Sequence, residues 1–270
     1  MGGVEPHKPG NLNRFQLGTQ PPLFIGFVDD RFGGAADGLP LISLPLARLN
    51  MPMLKQSWKL LGVLLVGISI YFGLTGEVSR LPILNETIRV LYYHVPMWFA
   101  MIALMGVSMV YSIRQLGLDQ ERHFDRVAVE SANTGFLLAT LGLVTGSVWA
   151  RFTWGAYWVN DPKLNGTAVT MLIYLAYFVL RGSVEDAQKR ARLAAIYNIF
   201  AFVMMIVFIG ILPRMTDSLH PGNGGNPGFN QYDLDNRMRP VFYSAVLGWI
   251  LIGLWITHLR IRFKKLAQHA

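Results

Sequence analysis

An all-α integral membrane protein, with six transmembrane helices and both termini cytoplasmic, is the fold class this sequence predicts. Three observations predict it. The 270 residues are 52% apolar and 15% charged, with a mean hydropathy of +0.35, against roughly 25% charged residues in an ordinary soluble domain. Six stretches of about 17 to 24 residues are free of Asp, Glu, Lys and Arg, and about 20 helical residues cross a bilayer core of roughly 30 Å. The basic residues fall unequally on the two sides that six crossings define.

The runs are, in order, 60–76, 90–113, 131–150, 164–180, 193–213 and 240–259. Helix is the state that suits them, because lipid offers no partner to an open strand. The alternating ten-residue strands of a transmembrane barrel are absent. One side collects Arg48, Lys55, Lys59, Arg114, Arg122, Arg126, Arg181, Lys189, Arg190, Arg192, Arg260, Arg262, Lys264 and Lys265; the other has Arg80, Arg89, Arg151, Lys163, Arg214, Arg237 and Arg239. The richer side is expected to be cytoplasmic. Three outer loops follow, at about 77–94, 151–166 and 214–239. Residues 181–192 read as a solvated helical extension on the inner side, with charges at i,i+4 spacing.

The Gly- and Pro-rich segment 1–52 has no apolar h-region at its start and is not a signal peptide. It reads as a disordered extension or a start called too early. Residues 53–262 form the six-span domain and 263–270 a cytoplasmic tail. Net charge is +8 and there is no cysteine. Disulfides, thiolate metal sites and covalent haem attachment through CxxCH are thereby excluded. In so apolar a chain the positive balance reflects cytoplasmic loops rather than nucleic-acid binding.

Residues able to do chemistry concentrate on the outer side. His94 lies in Tyr92-Tyr-His-Val-Pro-Met-Trp98, where the first outer loop enters the second span. Pro96 suits a helix's first turn, which puts His94 at or just before the helix start. Trp149, Phe152, Trp154, Tyr157 and Trp158 place five large aromatics within ten residues of the second outer loop. Gly155 and Pro162 punctuate it, and Arg151 and Asp161 are its fixed charges. An apolar shelf of rings suits a flat aromatic ligand. His220 opens the Gly/Asn/Pro-rich third loop, whose composition forces turns. Taken singly, each histidine also reads as an ordinary interfacial or surface residue, and the aromatics as a headgroup belt. Together they make a haem site, since neutral imidazole is a good axial ligand for haem iron. His7 and His269 are terminal, and His123 and His258 lie on the inner side.

The stretch Trp154-Gly-Ala-Tyr-Trp158-Val-Asn160-Asp161 resembles the tryptophan-rich "WWD" signature, WGxWWxWD, of the haem-handling proteins of cytochrome c biogenesis. His94 and His220 are similar to that family's two outer-loop histidines. With six spans and one central signature loop, residues 53–260 most resemble the haem exporter protein C (CcmC) branch; the related CcsA proteins usually have more spans. Tyr157 and Asn160 stand where the signature has Trp.

The resemblance implies the following: His94 and His220 as axial ligands of a transient, non-covalent b-type haem; a platform of Trp154, Gly155, Tyr157, Trp158 and Asp161; and Arg151, Asn160 and Trp98 as further members. It implies a CcmE-like haem chaperone as acceptor. CcmA-like ATPase, CcmB-like and CcmD-like subunits would complete an ABC-type complex in the bacterial inner membrane, with haem on the periplasmic side. The chain carries no GxxxxGK[ST] and cannot hydrolyse ATP itself. A binding protein rather than an enzyme is expected. Two other readings stay open from the residues alone: a permease for another solute, and a haem b electron-transfer subunit.

Overall fold

The computed structural model describes residues 56–117, 122–220, 229 and 234–267. The expectations for 1–52, for the turn-rich 221–228 and for the last three residues lie outside these.

Six helices are long and apolar enough to cross a membrane, and no strand occurs among the described residues. They are α1 (Ser57–Thr75), α2 (Leu91–Gln115), α3 (Arg122–Trp154), α4 (Pro162–Ser183), α5 (Ala187–Met205) and α6 (Met238–Ala267). Helices α3, α4 and α6 contain their charge-free runs and extend beyond them; α1 and α2 each stop one residue short of theirs at one end, and the fifth run passes from α5 into the elements that follow it. The extensions carry the charges that composition alone had assigned to loops. Two 3₁₀ and π elements add to them: a 3₁₀ turn, Asn85–Val90, leads into α2, and a π-helical turn, Ile206–Ile211, carries α5 on into the short helix Leu212–Met215.

Helix α2 is the central member. It packs on α3, α6 and α5, while α1 lies against α6 and α4 against α5. Its buried face reads Met97, Ala100, Met101, Leu104, Met105, the 3–4 spacing of one helical stripe. Against that stripe sit small or flexible side chains of α3 and α5: Ala132, Ala139, Ala194, Ala201 and Met205. In lipid, apolar area alone does not drive helices together, so close approach by small residues does that work. Gly253 of α6 shows it, since a Cβ there would come 2.8 Å from Leu104. A second cluster at the outer end joins Val78, Ile88, Leu91, Tyr92, Leu234, Met238 and Phe242. Asp235 ties the first and third outer segments, accepting from Ser79 and from the Arg237 and Met238 amides at the start of α6.

Three local expectations are corrected. Residues 181–192 are not one helical extension: α4 stops at Ser183, and Asp186 caps a new helix by accepting from the Lys189 amide. Pro96 is not in a first turn. The chain is already helical from Asn85, so Pro96 is buried inside the helical stretch and His94 stands on a helix. The aromatic loop is shorter than 151–166, because α3 runs through Trp154. Gly155 ends it with φ of +81°, the left-handed conformation that glycine adopts without penalty. The Arg151 guanidinium donates to the Gly155 carbonyl and holds that turn.

At the inner end, the Arg181 guanidinium grips Asp125 through both nitrogens, at 2.6 and 2.9 Å. The fully buried Glu130 meets Arg260 at 2.7 Å and Lys264 at 2.6 Å from α6. Asn198 of α5 donates to Ser108 and Ser112 of α2, and Ser108 donates to the Ala128 carbonyl of α3. Three helices are thereby pinned by one polar clamp.

Candidate haem site

A cavity of about 610 Å³ opens at the outer end, between α2, α3, α4 and the π-helical turn. That volume lies within the usual range of roughly 300–1,000 Å³ for small-molecule sites. His94, His220, Trp98, Trp149, Trp154 and Trp158 line it, with Leu91, Ile102, Ile206 and Ile209 as apolar wall. The structure thus brings both outer histidines and three anticipated tryptophans to one space.

His94 is held from two sides. Its ring lies edge-on to Trp98 and Trp149, with centroids 6.1 and 5.8 Å away. Across from it run Gly142 and Gly146 of α3. A Cβ at Gly146 would sit 2.6 Å from His94 Cε1, and one at Gly142 would sit 2.8 Å from Trp98. Only glycine at both positions lets α3 come this close. Thr145 lies between them, with Oγ1 3.1 Å from His94 Nδ1. The Thr145 hydroxyl already donates backward to the Leu141 or Gly142 carbonyl. In the tautomer protonated at Nδ1 the Thr145 oxygen accepts from the ring and Nε2 keeps its lone pair.

His220 is held by a carboxylate. Asp161 is 1% exposed and serves two structures at once. One is α4: with Pro162 in the first position, Oδ1 accepts from the Lys163 and Leu164 amides as N-cap. The other is the third outer segment: Oδ2 accepts from the Ser218 hydroxyl and the Leu219 amide, and Oδ1 meets His220 Nδ1 at 2.9 Å. Burial pushes the Asp161 carboxyl up. The hydrogen bonds from His220, Leu219 and Ser218 outweigh that and hold it well below the usual carboxylate range. The His220 ring stands edge-on to Trp154 at 4.9 Å. Here too Nδ1 is engaged and Nε2 remains.

The other anticipated residues sit nearby without lining the cavity. Asn160 accepts from Asn165, whose Oδ1 accepts from Trp158, so the loop is laced back onto α4. Tyr157 is 62% exposed, and Gly155 with Arg151 forms the turn. Asp161 holds His220 through its Nδ1.

The sequence alone singled out none of Thr145, Gly142, Gly146, Lys163, Arg214 and Ser218 for the site, and Trp149 only as one ring of the aromatic shelf. Gly142 and Gly146, four residues apart on the helix that carries Trp149, were the available signal. Lys163 and Arg214 both line the cavity, and among the described residues neither has a carboxylate within ion-pair distance.

Half-buried imidazoles with Nδ1 engaged, a wall of indoles and two cations fit a flat, metal-centred, acid-bearing macrocycle such as haem.

Residues 44–270 match the family described as CcmC, heme exporter protein C. The heme exporter protein C of Haemophilus influenzae is 25% identical over 227 residues, which is 80% of this chain and 87% of that protein. That of Bradyrhizobium diazoefficiens is 35% identical over 118 residues, 43% of each. A cytochrome c biogenesis protein CcsA of Prochlorococcus marinus is 29% identical over 168 residues, covering 60% of this chain and 52% of that protein. The chain spans about half the length of the CcsA relatives it matches.

Proposed function

The chain belongs to the heme exporter protein C family, and on that premise we propose that it binds haem as cargo at its outer cavity and presents it for cytochrome c maturation. One observation carries the reading. Two histidines from separate segments line one cavity, each with Nδ1 tied to a protein group and Nε2 left to bind metal.

In this reading His94 and His220 are the axial ligands. Trp98, Trp149, Trp154 and Trp158 pack on the ring and exclude water from it. Lys163 and Arg214 face the two carboxylates of the cargo. Tyr157 and the exposed end of Trp158 lie at the rim, where an acceptor meets the cargo. The acceptor is a CcmE-like chaperone, and the chain works beside CcmA-, CcmB- and CcmD-like subunits that hydrolyse ATP and complete the complex. Haem stays non-covalent, since no cysteine is present to bond its vinyl groups. The chain is a carrier, not a catalyst. The bias of basic residues puts the termini and the Asp125–Arg181 end in the cytoplasm, and the cavity on the periplasmic side of the inner membrane.

The test is the absorption spectrum of the purified protein loaded with haem. Bis-histidine ligation gives a low-spin spectrum. His94→Ala and His220→Ala each give a high-spin or haem-poor protein, and added imidazole restores the low-spin form. Two single variants with unaltered spectra would overturn the assignment.

A further inference from the structure

The two histidines are held by different chemistry. His220 Nδ1 donates to a carboxylate, at 2.9 Å, and that carboxylate is almost wholly buried. The hydrogen-bonding neighbours of His94 among the described residues are neutral: the Thr145 hydroxyl, 3.1 Å from Nδ1, and the Gly142 backbone. A charge-assisted hydrogen bond is roughly twice as strong as a neutral one, and burial keeps water from screening it. Electron density pushed through the ring raises the basicity of the opposite nitrogen. His220 Nε2 is therefore the stronger donor toward a metal, and His94 Nε2 the weaker.

The mountings differ in the same sense. His94 stands on a membrane helix, wedged by Gly146, Trp98 and Trp149. His220 stands on an extramembrane segment hung from Asp161. The weak ligand is fixed on a long helix and the strong one on a non-helical outer segment.

Resting on the reading of the cavity as a bis-histidine haem site, we propose that Asp161 and Thr145 are positioning residues that make the ligands unequal, so that His94 is released first. In that step the iron–Nε2 bond to His94 breaks and its electron pair stays on the imidazole. A bond to the incoming ligand forms with that ligand's own lone pair, and the iron keeps its oxidation state. The cargo then leaves still held by His220.

The experiment uses the full-length protein loaded with ferric haem, with cyanide as incoming ligand and the midpoint potential as second readout. Thr145→Val removes the acceptor at His94 and should raise cyanide affinity about tenfold, with a small effect on the potential. Asp161→Asn keeps an oxygen for the helix cap but removes the charge. It should raise the midpoint by about 59 mV, the one-electron equivalent of a tenfold loss of ferric preference, while changing cyanide affinity less than Thr145→Val does. Ser218→Ala removes one anchor of the same segment without touching the charge. It removes one hydrogen bond to the carboxylate while keeping its charge, and should shift the potential much less than Asp161→Asn does. Equal cyanide responses in the first two variants, a larger response to Asp161→Asn, or a Ser218→Ala shift matching that of Asp161→Asn would overturn the inequality. Spectra indifferent to His94→Ala and His220→Ala would overturn the haem reading itself.

Discussion

The two ends of this bundle treat their basic side chains in opposite ways. At the inner end charge meets charge: Asp125 with Arg181, Glu130 with Arg260 and Lys264. The Asn198 amide nitrogen likewise meets two serine hydroxyls. At the outer end each half-buried histidine has one ring nitrogen engaged, and Lys163 and Arg214 line the cavity with no carboxylate in ion-pair reach among the described residues. Leaving such groups half-engaged beside lipid costs free energy. The inner end uses its polar groups to hold helices together, and the outer end keeps its own available for cargo.

Variants that separate stability from binding break or sharpen this contrast. The largest effect is expected inside. Asp125→Ala leaves Arg181, 14% exposed in its side chain, without its partner, and should cost roughly 3 kcal/mol of stability, the low end for removing half of a buried pair. Thermal unfolding in detergent reads that loss, while haem bound per folded molecule should not change. A parallel fall in haem affinity would show that the ends are not independent.

Next comes Gly146→Val outside. A side chain starting 2.6 Å from the His94 ring must displace it. Disturbing a ligand's support typically costs 10- to 100-fold in metal affinity. A haem titration should show a loss of about 100-fold, with a smaller fall in the unfolding midpoint than for Asp125→Ala, because the same side chain overpacks the α2–α3 contact.

Smaller still is the aromatic wall. Trp154→Ala or Trp158→Ala should each weaken haem retention by about 0.5–1.5 kcal/mol beyond area burial. The double variant should lose more, measured as haem off-rate.

Smallest at neutral pH is the effect of acid. Asp161 titrates lower in the folded protein than its ordinary value of 3.8. Its contribution to anchoring Ser218–His220 is therefore complete above about pH 4 and is lost only as pH falls below that toward the folded value. Limited proteolysis of this segment should be unchanged from pH 7 to 5 and should accelerate only under stronger acid. Release at pH 5 would contradict the Asp161 anchor.

Much of this was legible in the sequence for a physical reason. Lipid forbids charge and free peptide groups together, so six charge-free runs had to be helices. The two histidines and the aromatic stretch stood out because polar and aromatic residues are scarce in such a chain. What was not legible was pairing between distant segments. Asp161 looked like a loop charge in line with its own neighbours, yet its partner is 59 residues away at His220. Thr145, Gly142 and Gly146 look like ordinary residues of an apolar span. Their importance comes only from α3 packing within contact of α2. The ends of α3 were misjudged because Glu130 and Arg151 read as loop markers, whereas the partners that absorb them, Lys264 and Arg260 for one and the Gly155 carbonyl for the other, are supplied by the fold.

The most direct test is a cryo-electron microscopy map of the haem-loaded protein. The account predicts one haem in the outer cavity, its iron between Nε2 of His94 and Nε2 of His220, with His220 Nδ1 still on Asp161. Density placing the iron on any other ligand, or haem at His123 or His258 on the inner side, would contradict it.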